Sequence, residues 1–95
     1  MDSLSNAQIR DLKARAQRMK ATIKVGKDGL SPQFVAALDQ ALNHHELLKV
    51  KFDYFKLEKK ELTPQLGEKT ASHVIVRVGN VVVLYRPRRD VSEGR

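Results

Sequence analysis

Two glycines separated by two residues mark the segment of this chain with the clearest capacity for binding chemistry. Residues 26–29 read Gly-Lys-Asp-Gly, and Ser31 and Pro32 behind them are typical of a helix start. Because glycine has no side chain, the backbone can turn sharply here and a phosphate can approach it closely. The amides at a helix start also attract anions, and neighbouring lysines add positive charge. We call residues 26–29 the glycine loop, and its candidate binding residues are Lys24, Gly26, Lys27, Asp28 and Gly29.

The spacing of the two glycines matches the GXXG loop with which KH domains clamp a nucleic-acid backbone. The chain has 95 residues, and its 18 Lys and Arg exceed its 11 Asp and Glu, which gives a net charge of +7. Seven of the basic residues fall within residues 1–29, whereas residues 30–46 contain none. Excess positive charge beside a phosphate-sized loop favours a polyanion partner, and our first hypothesis is RNA.

Basic residues outside the glycine loop extend the candidate contact surface. Lys49 and Lys51 alternate with apolar residues of a predicted strand and therefore share its polar side. A predicted first helix buries a narrow apolar stripe and turns its basic residues outward. Asp28 is poorly suited to contact phosphate, and we expect its carboxylate to cap the turn. The further candidate RNA contacts are Arg10, Lys13, Lys20, Lys49, Lys51 and Arg86.

No catalytic or metal-binding pattern accompanies this surface. The glycine loop lacks the GxxxxGK[ST] spacing of a P-loop, and no Ser/His/Asp arrangement can be argued. His44 and His45 would point about 100° apart on a helix, and Lys49 stands where an HExxH motif needs its second histidine. The chain has no cysteine, which excludes disulfides and thiol chemistry. We expect no enzyme, cofactor, metal or small-molecule substrate.

Apolar periodicity and turn signals predict the order helix, strand, helix, strand, helix, strand, strand. Ser5 and Gln8 form a capping box for the first helix, and the second helix is expected to end near His44. Gly79 and Asn80 are typical of a two-residue hairpin turn between the last two strands. The predicted strands cover residues 21–25, 48–52, 73–78 and 81–86.

This order predicts an α/β fold: one compact domain with helices packed on a four-stranded mixed sheet. The domain covers residues 1–95, with a core at about residues 4–86 and a flexible basic tail over residues 87–95. The last strand is apolar at every position from Val81 to Leu84, which is typical of a central strand covered on both faces.

The third helix is the element with competing interpretations. Residues 57–70 have a helical pattern that turns Leu62 and Leu66 inward, but the segment also contains Pro64 and Gly67. Proline inside a helix removes a hydrogen bond and clashes with the preceding turn. Two alternatives therefore stay open: a helix that begins at Thr63 with proline in its first position, or a helix that bends at the proline.

Three ordered motifs carry a family resemblance. Residues 25–30 read Val-Gly-Lys-Asp-Gly-Leu, residues 44–51 read His-His-Glu-Leu-Leu-Lys-Val-Lys, and in residues 79–87 Gly-Asn precedes Leu-Tyr-Arg-Pro. With this spacing the chain resembles the CRM domain family, the chloroplast RNA splicing and ribosome maturation module, in its stand-alone bacterial YhbY form. The resemblance spans about residues 4–86 and implies a fold similar to the C-terminal domain of translation initiation factor three.

The resemblance also implies RNA binding through the GXXG loop and the adjoining basic surface. Bacterial single-domain members of that family associate with the precursor of the large ribosomal subunit, and plant relatives act in group II intron splicing. We therefore expect a non-catalytic protein that contacts structured ribosomal RNA during assembly of the large subunit. Three alternatives remain: a factor for introns or small RNAs, an adaptor for an acidic protein partner, and a binder of duplex DNA.

Partners and location are predicted from composition. No apolar run approaches the roughly 20 residues that a membrane helix needs, and the first residues lack a signal-peptide layout. We expect a cytoplasmic protein with no membrane partner, and a monomer, because no heptad pattern is visible. With three Phe, two Tyr and no Trp, the chain lacks the stacking platform of an RRM, so we expect it to recognise RNA shape and backbone with limited base specificity.

Overall fold

The computed structural model describes residues 4–21 and 23–87, which form seven elements in the predicted order. The strands make one four-stranded sheet in the order β1-β2-β4-β3. β1 runs parallel to β2 and the other two pairings are antiparallel, so the predicted mixed sheet and α/β class are confirmed. The predicted tail beyond Pro87 lies outside the described residues. The elements are α1 (Asn6–Gln17), β1 (Ile23–Val25), α2 (Pro32–His44), β2 (Leu47–Phe52), α3 (Lys59–Thr70), β3 (His73–Val78) and β4 (Val81–Tyr85).

Polar caps fix where the first two helices begin. The Ser5 hydroxyl accepts the backbone N–H of Gln8 at 3.1 Å, and the Gln8 side chain accepts that of Ser5 at 2.7 Å, which confirms the capping box. The Ser31 hydroxyl accepts the N–H of Phe34 at 3.1 Å, and Pro32 occupies the first turn of α2. Because this cap stands directly behind the glycine loop, the loop is held between the end of β1 and the start of α2.

The two faces of the sheet bury separate apolar clusters. α2 and α3 cover one face, where Leu48, Val50 and Phe52 of β2 are fully buried. α1 covers the other face, where Leu12 and Ala16 pack against residues of β2 and β4. β4 therefore contributes to both clusters, as its continuous apolar sequence predicts. The larger cluster consists of Val25, Leu38, Leu42, Leu48, Val50, Phe52, Leu66, Val82 and Leu84.

α3 continues through Pro64, so the alternative of a helix beginning at Thr63 is wrong. The helix begins at Lys59, two residues later than the predicted residue 57. Pro64 is exposed, and the carbonyl that loses its N–H donor belongs to Lys60, which is exposed as well, so water can satisfy it. The Thr63 hydroxyl donates to the Lys59 carbonyl at 2.6 Å. Tertiary packing of the buried Leu66 outweighs the local penalty of proline.

Gly67 is required by a close contact between α3 and the chain that follows it. A Cβ at this position would lie 2.9 Å from the Ser72 carbonyl oxygen and 3.1 Å from a methyl group of Val74. The Ser72 N–H also donates to the Gly67 carbonyl at 3.0 Å, while Ala71 adopts a left-handed conformation that ends the helix. The chain can return directly from α3 into β3 because this helical position has no side chain.

Gly67→Ala is expected to lower the free energy of unfolding by about 1 kcal/mol, because the overpacking cost of about 1–3 kcal/mol exceeds the gain in helix propensity of about 1 kcal/mol. Gly26→Ala is the matched control, since a Cβ there meets nothing within 4 Å and φ is not positive. Urea denaturation of both variants measures the difference. A Gly67→Ala protein more stable than the wild type would show that Ser72 and Val74 move away from the added methyl group at little energetic cost.

Three strand ends differ from the prediction. β1 begins at Ile23 rather than at residue 21, β2 begins at Leu47 rather than at residue 48, and β4 ends at Tyr85 rather than at residue 86. Arg86 is next in the β2–β4 register, and its backbone N–H still donates to the Glu46 carbonyl at 2.8 Å, while its side chain turns towards α2. The predicted hairpin is confirmed: Gly79 and Asn80 join β3 to β4, and Gly79 has a positive φ of 61°.

Candidate nucleic-acid interface

The glycine loop is a tight, solvent-facing turn. The Gly29 N–H donates to the Gly26 carbonyl at 3.0 Å, which places Lys27 and Asp28 at the two central positions of a β-turn. Both central side chains are exposed. Gly29 has a φ of 64°, in the left-handed region that residues with a Cβ rarely adopt. The loop therefore presents Lys27 and Asp28 outward. Its last residue, Gly29, has a backbone conformation that only glycine adopts readily.

Three chain segments meet at the end of the sheet that carries the glycine loop. The backbone N–H groups of Asp53 and Tyr54 both donate to the Val25 carbonyl, at 3.2 and 3.3 Å. The N–H of Phe52 donates to the Asn80 carbonyl at 2.7 Å, which attaches the β3–β4 hairpin. These bonds fasten the loop, the β2–α3 connection and the hairpin together. We call this surface, made of residues 24–29, 51–59 and 79–81, the loop edge.

Two lysines lie side by side in register on the sheet face that α1 packs against. Lys24 of β1 pairs with Lys51 of β2, and Lys51 pairs with Val81 of β4, which in turn faces Val78 of β3. Both lysines are exposed, and Val78 keeps 68% of its surface exposed. Like charges at facing positions of neighbouring strands repel each other. A bound polyanion would relieve that repulsion, so this row is suited to a phosphate backbone.

The loop edge carries an excess of positive charge. Its residues include five lysines and three acidic side chains, which leaves a net charge of +2. Lys59 donates to the Asn80 side-chain oxygen at 2.8 Å and so serves the packing of α3 against the hairpin. The remaining lysines are exposed. The five lysines are Lys24, Lys27, Lys51, Lys56 and Lys59, and the acidic residues are Asp28, Asp53 and Glu58.

Lys49 lies on the same sheet face as Lys51 but has an intramolecular partner. Its ammonium group donates to the Met19 carbonyl at 2.9 Å, next to the C-terminal end of α1. The side chain is partly buried. A lysine in this position satisfies a carbonyl left open at the end of a helix and fastens that helix to the sheet. The structure therefore gives Lys49 a packing role, and Lys51 is the freer of the two.

Arg86 lies at the opposite end of the sheet from the glycine loop. β4 runs from the hairpin at Val81 to Tyr85, so Arg86 is roughly 15 Å along the strand from the loop edge. Its guanidinium donates to the Asp39 carboxylate at 2.6 Å, to the Thr70 carbonyl at 2.7 Å, and to two further oxygens on α2. These bonds use both terminal nitrogens of the guanidinium as donors to oxygens of the protein itself. The structure does not bring Arg86 together with the loop.

The three candidate contacts around α1 are exposed but stand apart from the glycine loop. Arg10 and Lys13 are three residues apart on α1, on a face next to its buried stripe. Lys20 directly follows Met19, the residue whose carbonyl Lys49 binds, and therefore lies near the sheet face of Lys51. These residues can extend a contact surface from the loop edge along α1, but they do not complete the loop itself.

Sequence reasoning gave little weight to the segment that packs beside the loop. Phe55 lies against the loop: a Cβ at Gly29 would meet its ring atoms Cε2 and Cζ at 3.3 and 3.5 Å. Tyr54 and Phe55 keep 51% and 39% of their surfaces exposed. The signal available in the sequence was two aromatic residues and Lys56 directly after the predicted strand. The contact with Gly29, which lies 26 residues earlier, could not be seen there.

The described residues contain neither a candidate metal cluster nor a helix suited to a membrane. Within residues 4–21 and 23–87, no three His, Cys, Asp or Glu side chains are grouped so that they could hold a metal ion. In the same part of the chain, no helix is long and apolar enough to cross a membrane.

The structure is thus an α/β domain that presents a glycine loop and a pair of in-register lysines at one edge of its sheet. The chain matches the sequence model of the CRS1 / YhbY (CRM) domain over residues 4–86. That match covers most of the chain, and the chain belongs to this family. The resemblance seen in the three sequence motifs is therefore confirmed.

Individual relatives cover nearly the whole chain. It is 34% identical over 93 residues to a protein of Haemophilus influenzae named "RNA-binding protein", which covers 97% of this chain and 94% of the relative. It is 26% identical over 88 residues to YqeI of Bacillus subtilis, which covers 92% of each chain. The solution structure of SAV1595 from Staphylococcus aureus is similar to this one, with a TM-score of 0.77, 30% identity and 96% of both chains covered.

Proposed function

We propose that this chain is a non-catalytic RNA-binding protein and that the loop edge is its contact surface. The observation that carries the proposal is the solvent-facing glycine loop beside the exposed, in-register pair of Lys24 and Lys51. A family match and a relative named as an RNA-binding protein support the same partner class. The net charge of +7 favours attraction of a polyanion at long range.

Within that surface each residue has a distinct role. Gly26 is exposed and allows the RNA backbone to lie close to the loop, whereas the buried Gly29 permits the left-handed turn beside Phe55. Lys24, Lys27 and Lys51 supply mobile charges to the phosphates. The Asp28 carboxylate makes no hydrogen bond within the described residues, so the expected cap of the turn is not formed, and we assign Asp28 no phosphate contact. Arg10, Lys13 and Lys20 act as outer contacts along α1, where they add attraction with little effect on geometry. Lys49 and Arg86 act through the fold, because their donors are engaged by protein oxygens.

The RNA we propose is structured ribosomal RNA in the precursor of the large ribosomal subunit. The support is membership of the CRM domain family, because the resemblance of the three sequence motifs to the bacterial YhbY form implies association with that precursor. We further infer that the protein acts as a monomer in the cytoplasm. Recognition would rest on the shape and backbone of the RNA, because contacts between these lysines and phosphates carry no sequence information.

Sedimentation of a tagged protein in cell lysate tests the ribosomal part of the proposal. We expect the protein to co-migrate with particles slightly lighter than the mature large subunit, and to move to the top of the gradient after ribonuclease treatment. A protein that stays at the top of an untreated gradient would contradict a stable ribosomal role. Co-migration that resists ribonuclease would contradict RNA as the direct partner and favour a protein partner.

A further inference from the structure

Exposed apolar side chains are concentrated beside the glycine loop. Among the described residues, five large hydrophobic side chains are exposed, and three of them fall within residues 54–57. Tyr54 and Phe55 keep 51% and 39% of their surfaces exposed, and Leu57 keeps 94%. Contiguous apolar side chains at a surface are typical of a binding site rather than of random exposure. The position of this cluster on a positively charged edge is therefore informative about its ligand.

The aromatic pair is held in place rather than loosely attached. The N–H of Tyr54 donates to the Val25 carbonyl at 3.3 Å, and the N–H of Glu58 donates to the Phe55 carbonyl at 3.0 Å. Phe55 has a φ of 59°, in a region that costs a residue with a Cβ free energy and that persists only where surrounding bonds enforce it. The strained backbone presents the Phe55 ring at the surface, with its edge against Gly29.

The chemistry around these rings selects the kind of ligand. A nucleotide joins an anionic phosphate to a flat base through one sugar, and here a phosphate-holding loop touches an exposed aromatic ring. Bases paired within a duplex are already stacked on their neighbours, so only an unpaired base is free to stack on a side chain. Stacking tolerates any base, because each base has a π-face, which agrees with limited base specificity.

We propose that Phe55, assisted by Tyr54, stacks on an unpaired base of an RNA strand whose backbone lies on the glycine loop. This inference rests on the proposed function and adds a preference for a single-stranded segment at the loop edge. Because the Phe55 ring contacts Gly29, the glycine loop and the ring form one unit. Any movement of the loop backbone would therefore displace the ring. Leu57, although more exposed, has no aromatic face and serves no stacking role.

Two RNAs of equal length test the stacking proposal. One is a hairpin with an unpaired overhang that contains 2-aminopurine, and the other is a fully paired hairpin with a minimal loop. We expect the wild-type protein to bind the first RNA more tightly and to quench the 2-aminopurine. Phe55→Leu, which keeps an apolar contact with Gly29, should weaken binding to the overhang RNA roughly 5- to 100-fold and abolish the quenching. Its affinity for the paired RNA should stay within about twofold.

Two further variants protect this test against a folding artefact. Tyr54→Ala removes a side chain that is half exposed and should also reduce quenching, while its thermal unfolding midpoint stays near the wild-type value. Val74→Ala is the matched control, because Val74 is apolar and 39% exposed like Phe55 but pairs with Leu84, towards the end of the sheet opposite the loop edge. We expect Val74→Ala to retain both the preference and the quenching.

The outcomes separate the two proposals. Folded Phe55→Leu and Tyr54→Ala proteins that keep the overhang preference and the quenching would overturn the stacking proposal and leave RNA binding intact. A wild-type protein that binds neither RNA would overturn the proposed function as well. If polyglutamate binds the wild type, and Phe55→Leu loses that binding while both RNAs bind weakly, an acidic protein segment replaces RNA as the ligand of this surface.

Discussion

A protein in which Lys24, Lys27 and Lys51 are all replaced by alanine is expected to bind structured RNA on the order of 100-fold more weakly at about 0.1 M salt. Each lysine that meets a phosphate releases bound counterions, so its loss also removes about 0.7–0.9 from the slope of log affinity against log salt concentration. The slope of the triple variant should therefore be shallower by roughly 2 to 3. Affinity measured at several salt concentrations gives both quantities.

The control for this experiment removes the same amount of charge from other places. Arg15, Arg18 and Lys69 are exposed and lie outside the loop edge, and Arg15 forms only a surface ion pair of 3.9 Å with Asp11. Replacing these three with alanine should weaken binding only slightly, through the lower net charge. Equal losses in the two triple variants would show that total charge, and not the position of the lysines, determines affinity.

Arg86→Ala is expected to lower the free energy of unfolding by about 2–3 kcal/mol, because it removes hydrogen bonds from a charged donor that are each worth more than neutral ones. The guanidinium joins Asp39 and Asn43 of α2 to the end of α3, where it binds the Thr70 carbonyl, and its side chain is only 18% exposed. The thermal midpoint should fall by roughly 10 °C or more.

Two comparisons make the Arg86 result specific. Arg86→Lys should rescue little of the stability, because a single ammonium group cannot donate to the oxygens of α2 and α3 at the same time as the forked guanidinium does. Arg15→Ala should change stability by less than about 0.5 kcal/mol, since its ion pair is exposed. Folded Arg86→Lys protein should bind RNA as the wild type does. A stable Arg86→Ala protein with much weaker RNA binding would return this residue to the contact surface.

Local signals in the sequence were sufficient for most of the framework. The capping box at Ser5, the cap at Ser31 and the hairpin at Gly79 each depend on residues at most three positions apart, and all three are present in the structure. The alternation in β2 also placed Leu48 and Val50 in the core and Lys51 outside. Such features follow from short-range geometry, which sequence shows directly.

Features that depend on distant contacts could not be predicted in the same way. The helix continues through Pro64 because packing at Leu66 outweighs the lost hydrogen bond, and Gly67 is needed because the Ser72 carbonyl returns against it. The sequence offered Arg86 as an RNA contact because it is basic and follows an apolar strand. Its actual partner Asp39 lies 47 residues away.

The candidate site likewise has some features that follow from local sequence and others that depend on contacts between distant residues. The glycine spacing and the lysines of β1 and β2 were visible in the sequence, because the loop is continuous and the strands alternate. The pairing of Lys24 with Lys51 and the contact of Phe55 with Gly29 arise only when β1 docks beside β2. Sequence composition suggested no aromatic platform, and the exposure of Tyr54 and Phe55 at the loop edge is visible only in the structure.

Backbone amide shifts, measured by NMR while an RNA hairpin with an unpaired overhang is added to the protein, locate the RNA-binding surface residue by residue. We expect the largest changes in residues 24–29, 51–58 and 79–81, smaller ones near Lys20, and almost none around Asp39, Thr70 and Arg86. Changes centred on α2 and Arg86, with the glycine loop unaffected, would contradict the assignment of the loop edge as the RNA-binding surface.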